Sequence, residues 1–564
     1  MATIFDAAGT PIKRGDIARV RTRALLSGGV TPYDAADVAS PEMAGWHPWL
    51  GSPDTETTPY RDRSVARIRD LVRNDGWAAG AVTRLKDATI GADFRLSAKP
   101  DYRALARRWG AGFDAAWAKE FADAAEAGWR AWAYDPGRWC DTARMLLAPQ
   151  MFRLAFRHYI VEGEALAALP WRPDRRGYGR ARYATTLQII DPDRLGNPSM
   201  RMDTLDMRGG IELDEDGAPI AYHIRKAHLN DWFAAGESMV WERVERESEW
   251  GRPQVVHHFD PERAGQHRPI GGMFTPVLAR MRMLAQYDRV ELQAAVVNAI
   301  FGAYIESPFD REDVEGALSD ENTLSKYQEL RSQYHTERPL MAGNVRLATL
   351  YPGERINTVS PSRPASAFDA FESAILRNLA TSLGMSFETV SGDYRGSSYS
   401  SARQALLGEW RTVTRRRMDF GAGMCTPVYV ALLEEMVDRG DVPLPAGVPD
   451  FVEIRAELSR CKWIGPGRGW IEPTREPEGS KIKIAAGLST LEAECEDGGG
   501  ADWIENLDQL ALERAEAEKR GLTLVHDTAQ AQQEAAKDDP DAPKPGQGPG
   551  QQRGQGAPTE TTAA

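Results

Sequence analysis

The sequence predicts an α+β protein that is mainly helical. Apolar residues recur at three- and four-residue spacings through 61–163 and again through 274–439. Short extended runs punctuated by turn residues are concentrated between about 165 and 260. A chain of 564 residues, 42% hydrophobic and 27% charged, is long enough for a sizeable core and several structural regions.

Residues 1–60 read as loop, rich in Gly, Pro and Thr, around an aromatic knot at Trp46-His47-Pro48-Trp49. From Arg61 the pattern becomes helical, with Val65, Ile68, Leu71 and Val72 in a one-sided stripe that Asn74-Asp75-Gly76 ends. A second helix runs through Val82, Leu85 and Ile90, and further helices fit 101–133 and 139–163. Twelve of the 16 tryptophans precede residue 251, which predicts a large aromatic core in this half. In the extended region, 186–190 reads as a strand stopped by Asp191-Pro192. Segments 210–213 and 219–224 flank Asp214-Glu215-Asp216-Gly217, a hairpin turn rather than a calcium loop because the other calcium-ligating positions are missing.

A long helix follows over 274–305, marked by Phe274, Leu278, Met281 and Leu284. Residues 306–362 are mixed, with a helix near 318–335 and short extended pieces. A second amphipathic helix, 365–384, carries Phe368, Phe371, Ile375 and Leu379. A polar loop then contains Ser391, Gly392, Asp393, Tyr394, Arg395, Gly396, Ser397, Ser398 and Tyr399. A third long helix over 400–439 should bend at Gly421 and Pro427. Helical periodicity returns over 501–520. After about 528 the chain is dominated by Gln, Gly, Pro, Ala and Asp and is expected to be disordered.

Lys plus Arg number 69 against 82 Asp plus Glu, a net charge of −13. That balance excludes a surface that grips nucleic-acid phosphates throughout, while leaving room for a local basic patch or a channel. The four cysteines form no CxxC pair, which predicts a reducing compartment and no disulfide framework. There is no secretory leader pattern and no apolar run that could span a bilayer, so a soluble, cytosol-made protein without membrane contact is expected.

The chemistry of the sequence is largely negative. No lysine follows a glycine, so the phosphate-binding Gly-Lys-Ser/Thr loop is absent, as are HExxH and GxSxG. Gly465-Pro466-Gly467-Arg468-Gly469-Trp470 has the wrong spacing for a dinucleotide site and reads as a tight turn. His257, His258 and His267 lie close in sequence, but adjacent histidines on a strand point to opposite faces, which favours structural hydrogen bonding over metal binding. Cys140 and Cys425 read as core residues. Arg415-Arg416-Arg417 spans most of one helical turn and faces DNA, an acidic surface of a neighbouring subunit, or solvent. No catalytic residue, metal site or cofactor is expected.

The order of elements is an aromatic α+β half, a long helix, a small mixed insert, a second helix, a polar loop, a long bent helix and an acidic tail. It resembles the portal proteins of tailed double-stranded-DNA phages, in particular the lambda-type branch. The resemblance extends from about 20 to 520 and is carried by segments 67–82 and 209–224. More specific to the branch are Ser391-Gly392-Asp393-Tyr394 with Tyr399-Ser400-Ser401-Ala402-Arg403, and the segment 461–473 that begins Cys461-Lys462-Trp463-Ile464-Gly465-Pro466.

The resemblance implies a non-enzymatic ring, usually of twelve subunits, at one vertex of a capsid. By that analogy 1–270 is a wing, 274–305 a first stem helix, 306–362 a clip and 365–384 a second stem helix. Residues 390–400 correspond to a tunnel loop, 400–439 to the long bent helix, 440–527 to a C-terminal crown region and 528–564 to a disordered tail. Implied partners are the terminase large subunit, the major capsid and scaffold proteins, a head–tail adaptor and double-stranded DNA passing through the channel. Asp393, Tyr394, Arg395, Ser397, Ser398 and Tyr399 are then candidate channel residues, with Gly392 and Gly396 allowing flexure. A plain connector between helices is the alternative for this loop. In a ring, the apolar stripes of the stem helices would meet neighbouring subunits. The rival readings are another head–tail connector or scaffold protein, and a DNA-processing hydrolase with a site assembled from distant residues.

Overall fold

The computed structural model describes residues 45–110, 112–301, 366–396 and 398–522, the short segments 34–36, 340–342 and 345–347, and positions 43, 333 and 524. Most of the expected N-terminal loop, nearly all of 306–362 with its expected helix near 318–335, Ser397, and the expected disordered tail lie outside the described residues.

Helix α1 (Pro53–Asn74) starts before Arg61, because Pro59 lies inside the helix rather than ahead of it. Asp54 and Glu56 in its first turn complement the exposed amides, and Glu56 accepts from the Gly51 N–H at 2.7 Å. Helix α2 (Gly76–Thr89) is capped by Asp75, whose carboxylate accepts from the Ala78 N–H. Strand β1 (Arg95–Ala98) follows. The single helix expected over 101–133 is two, α3 (Tyr102–Trp109) and α4 (Ala115–Ala133). Gly110 adopts φ +101° between them, and Asp114 caps the second by accepting from the Trp117 N–H at 2.7 Å. Likewise α5 (Ala148–Val161) begins well after residue 139. The Asp141 carboxylate accepts from the N–H groups of Ala143, Met145 and Leu146, holding the preceding segment in turns.

Strands β2 (Glu164–Ala168) and β3 (Gln188–Ile190) pair antiparallel, with Leu166 opposite Ile190. Strands β4 (Met207–Arg208), β5 (Ile211–Leu213), β6 (Pro219–Arg225) and β7 (Trp241–Glu245) form one sheet in that order. The expected hairpin is β5–β6, turning at Gly217 with φ +81°. Strand β8 (Val255–Phe259) joins β2 to complete a three-stranded sheet.

Helix α6 (Leu278–Phe301) is followed, within the described part of 306–362, by β9 (Leu340–Ala342) paired with β10 (Val345–Leu347). Then come α7 (Ser366–Leu383), the short α8 (Phe387–Ser391) and α9 (Tyr399–Phe420). The expected bend is a π turn at Gly421–Cys425 leading into α10 (Thr426–Asp438), where Pro427 occupies the first turn. A Cβ on Gly421 would press on the Trp463 ring at 2.8 Å, and one on Gly423 would collide with His258. Two glycines of the π turn therefore leave space for the side chains of Trp463 and His258.

The last described elements are α11 (Phe451–Leu458), β11 (Cys461–Ile464), α12 (Arg475–Ala485), α13 (Leu491–Gly499) and α14 (Trp503–Lys519), with β11 antiparallel to β1. The glycines after β11 do more than turn. Gly467 lies against the backbone of Gly498 and Gly500, where an added Cβ would sit 2.5 Å from a carbonyl oxygen and an amide nitrogen. Arg468 N–H donates to the Asp497 carbonyl at 2.7 Å, so two glycine-rich segments clasp backbone to backbone.

The chain divides into two units. The smaller comprises 1–66, 193–243 and 259–271, and is built on β4, β5, β6 and the start of β7. The larger comprises 67–192, 244–258 and 272–564, so the range 1–270 is shared between both. The larger unit's core is aromatic, with Trp129 packed against Trp132 and Trp463 at 5.1 and 5.3 Å and with Phe152 and Phe156 fully buried. Only part of the tryptophan-rich half contributes to it: Trp117, Trp129 and Trp132 are buried, whereas Trp46, Trp49, Trp171, Trp232 and Trp250 are exposed. Among the described residues no helix is long and apolar enough to cross a membrane.

Candidate functional site: the loop joining two helices

The polar loop is held at both ends and open in the middle. Ser386 starts α8 by accepting from the Thr389 N–H at 3.1 Å, and Gly392 ends it in the left-handed conformation at φ +69°. Ser398 starts α9 by accepting from the Ser401 N–H at 3.3 Å. Glu409, 8% exposed on α9, accepts from the Ser386 N–H at 3.0 Å and the Thr389 hydroxyl at 2.8 Å. Arg84 on α2 donates to the carbonyls of Thr389 and Val390, at the C-terminal end of α8.

At the tip, Arg395 clamps Asp393 through Nε and Nη2, which donate to the two carboxylate oxygens at 2.9 and 2.8 Å. The Arg395 side chain and N–H hold the Asp393 carboxyl down to about 2. Arg395 is therefore exposed yet charge-matched, and the tip carries an ion pair rather than a bare cation. Tyr394 beside it is 58% exposed. Ser397 and the Tyr399 side chain lie outside the described residues.

The arginine triplet separates into two roles. Arg416 donates to the Leu383 carbonyl at 2.6 Å, closing the C-terminus of α7. Arg417 donates to the carbonyls of Thr89, Ala88 and Pro466 and stacks over Trp410, 5.1 Å from the ring centroid. Burial lowers the Arg417 guanidinium to about 10. Both are buried cations at or beside helix C-termini, where the carbonyls carry partial negative charge. Arg415 is exposed and pairs with Asp419 one turn on, at 2.8 Å.

The two stem-like stripes meet within a single chain. Phe274, Met281, Leu284 and Leu379 are fully buried, while Leu278, Phe368 and Ile375 are partly so. Tyr287 on α6 stacks on Phe368 at 5.6 Å and meets Phe371 edge-on at 5.0 Å. Phe371 remains 44% exposed. The stripe expected to meet neighbouring subunits thus finds a partner in its own chain, and a different set on α6, Met283, Val290, Leu292 and Val296, stays exposed.

The three histidines go to three places. His257 pairs with Glu164 at 2.7 Å, His258 packs on Tyr159 and Phe420, and His267 pairs with Asp54 at 2.7 Å. Cys140 and Cys425 are buried, and burial pushes the Cys140 thiol up to about 12. The buried Glu435 carboxylate accepts from the Ala184 and Thr185 N–H groups at 2.7 and 2.9 Å. Glu409 and Glu435 are both anchors that escaped sequence reasoning. Their signal was present, since each is an acidic residue within an apolar helical run.

The chain matches the family described as phage portal protein, lambda family, over residues 39–417. It is 30% identical over 488 residues to the portal protein of Escherichia phage N15, covering 85% of this chain and 89% of that one. Portal protein B of Escherichia phage lambda is 29% identical over the same shares. A solved chain from the neck of an empty gene transfer agent particle aligns at a TM-score of 0.37 and 14% identity, covering 78% of this chain and 98% of that one. The class is a structural portal protein of a virus particle rather than one of enzymes. The chain belongs to the lambda family of phage portal proteins.

Proposed function

We propose that about twelve copies of this chain close into a ring at one capsid vertex, serving as the channel for double-stranded DNA and as the platform for the tail. The terminase large subunit docks on the ring and drives DNA in during packaging, and DNA leaves the same way at ejection. The chain itself performs no chemistry in this scheme. Its other partners are the major capsid protein, the scaffold protein and a head–tail adaptor, and the ring assembles in the host cytoplasm. Within each subunit, 1–270 acts as wing, 274–305 and 365–384 as stem helices, 306–362 as clip and 440–527 as crown.

The observation that carries the channel assignment is the Asp393–Arg395 pair on an anchored loop. A duplex must slide past a channel wall, and each stable phosphate–cation contact would raise the barrier to the next step. A loop whose arginine is already matched offers weak, transient contacts through Tyr394, Arg395 and Tyr399 without a site that holds.

The test is the native mass of the purified protein, by light scattering or native mass spectrometry, with negative-stain imaging. A particle of about twelve subunits with a central hole is expected. A monomer or dimer at every concentration, persisting when scaffold protein is co-expressed, would overturn the ring reading.

A further inference from the structure

Outside the loop described above, the larger unit presents a compact basic projection. Segment 172–182 holds Arg172, Arg175, Arg176, Arg180 and Arg182 against a single carboxylate, Asp174, in a chain whose net charge is −13. The projection is built rather than loose. Arg175 donates to the carbonyls of Asp141 and Thr142 at 3.2 and 2.7 Å, fixing the base. Ala181 N–H donates to the Arg175 carbonyl, and Arg180 N–H to the Gly177 carbonyl, closing the turn. Gly179 at φ +69° completes it, and Tyr178 stands at the apex fully exposed.

Beside the apex lies a cleft of about 400 Å³ lined by Arg176, Arg182 and Arg439. Arg182 and Arg439 share one carboxylate, Asp441, at 3.4 and 3.1 Å, and both lie over the Tyr183 ring at 5.3 and 5.4 Å. Two guanidinium groups are thus held in place with only one negative charge between them. Arg176 and Arg180 are exposed and have no carboxylate partner among the described residues. Three arginines line one cleft, two of them sharing a single carboxylate, and their guanidinium donors suit the oxygens of a phosphodiester. The exposed Tyr178 hydroxyl adds a donor to the sugar–phosphate backbone.

We propose that this projection is a sequence-independent contact for the DNA phosphate backbone, with Arg176, Arg182 and Arg439 taking a phosphate and Tyr178 and Arg180 lying along the strand. The contact is separate from the 391–399 loop and does not depend on ring formation. Failure of either reading therefore leaves the other standing.

The test is fluorescence anisotropy of the full chain with a labelled 30-base-pair duplex of mixed sequence, at sodium chloride from about 50 to 200 mM. The double variant R176E/R180E should weaken binding at least about tenfold at 50 mM. It should also reduce the slope of log affinity against log salt by about two, near one for each phosphate no longer neutralised. R176K/R180K should keep most of the affinity. Both side chains are exposed, so circular dichroism and thermal unfolding of the variants should match the parent chain. Polyglutamate serves as competitor for the rival partner, an acidic protein surface. The proposal is overturned if the parent chain does not bind the duplex at 50 mM salt, or if charge reversal leaves DNA affinity unchanged. Loss of polyglutamate binding alone would likewise overturn it, assigning the projection to an acidic protein.

Discussion

Thr185 gives both its N–H and its hydroxyl to the buried carboxylate of Glu435, at 2.9 and 2.8 Å, across 250 positions of sequence. The Ala184 N–H adds a third bond at 2.7 Å, and Arg252 bonds the same threonine hydroxyl oxygen at 2.9 Å. Helix α10 is tied by this one carboxylate to the segment leading into β3. Glu435→Ala leaves three donors without their acceptor in the core, and should cost about 3–5 kcal/mol in denaturant unfolding. Glu435→Gln keeps one acceptor oxygen and should cost about half as much. Equal stability of all three proteins would show that water replaces the carboxylate at no cost.

Asp393 keeps Arg395 from acting as a free cation. Asp393→Asn should raise the low-salt affinity of the assembled ring for duplex DNA by about two- to fivefold, the range of an exposed ion pair. The gain should vanish by about 0.5 M salt. The Arg395 clamp holds the Asp393 carboxyl to about 2, so the parent's affinity should not change through titration of this pair between pH 4 and 8.

With Asp54 ionised, His267 donates from Nδ1 to its carboxylate and from Nε2 to the Gly217 carbonyl, which requires the imidazolium. The hydrogen bond to Asp54 raises the His267 pKa, and despite burial the bonds from His267 lower that of Asp54. The histidine's contribution is complete below its unfolded pKa of about 6.5 and is lost as pH rises through its raised folded value. The aspartate's is complete above about 3.9 and is lost as pH falls through its depressed value. Protection of 259–271 in hydrogen exchange should therefore decline above neutrality, after correction for the intrinsic rate, and the decline should disappear in His267→Gln.

The glycine clasp predicts a localised failure. Gly467→Ala drives a methyl into the backbone of Gly498 and Gly500 and should cost about 1–3 kcal/mol. Limited proteolysis should then cut between 465 and 500 while the aromatic core around Trp129 stays folded.

Elements whose periodicity is local were legible in the sequence. The stripe of α1, the β5–β6 hairpin, α7 and the bend at Gly421 follow from residue spacing and turn chemistry alone. The misplaced boundaries have local causes that spacing conceals. Pro59 lies inside a helix, Gly110 divides one, and the Asp141 carboxylate delays another.

Periodicity and composition determined the α+β class, and element order with a few short segments carried the resemblance to the family, which in turn pointed to the polar loop. These depend on patterns that repeat within a few residues or run along the whole chain. Tertiary structure alone decided the fate of individual charges. Arg415, Arg416 and Arg417 are chemically identical and adjacent, yet one pairs with Asp419 at the surface and two close the ends of other helices. Arg395 is matched by a neighbour two residues away, whereas Arg176 and Arg180 have no carboxylate partner among the described residues. A charge takes its role from the donors, acceptors and solvent that surround it. For Arg395 and Arg415 these are near in sequence, whereas for Arg417 they are the Thr89 and Ala88 carbonyls, 328 and 329 positions away, brought in only once the chain has folded.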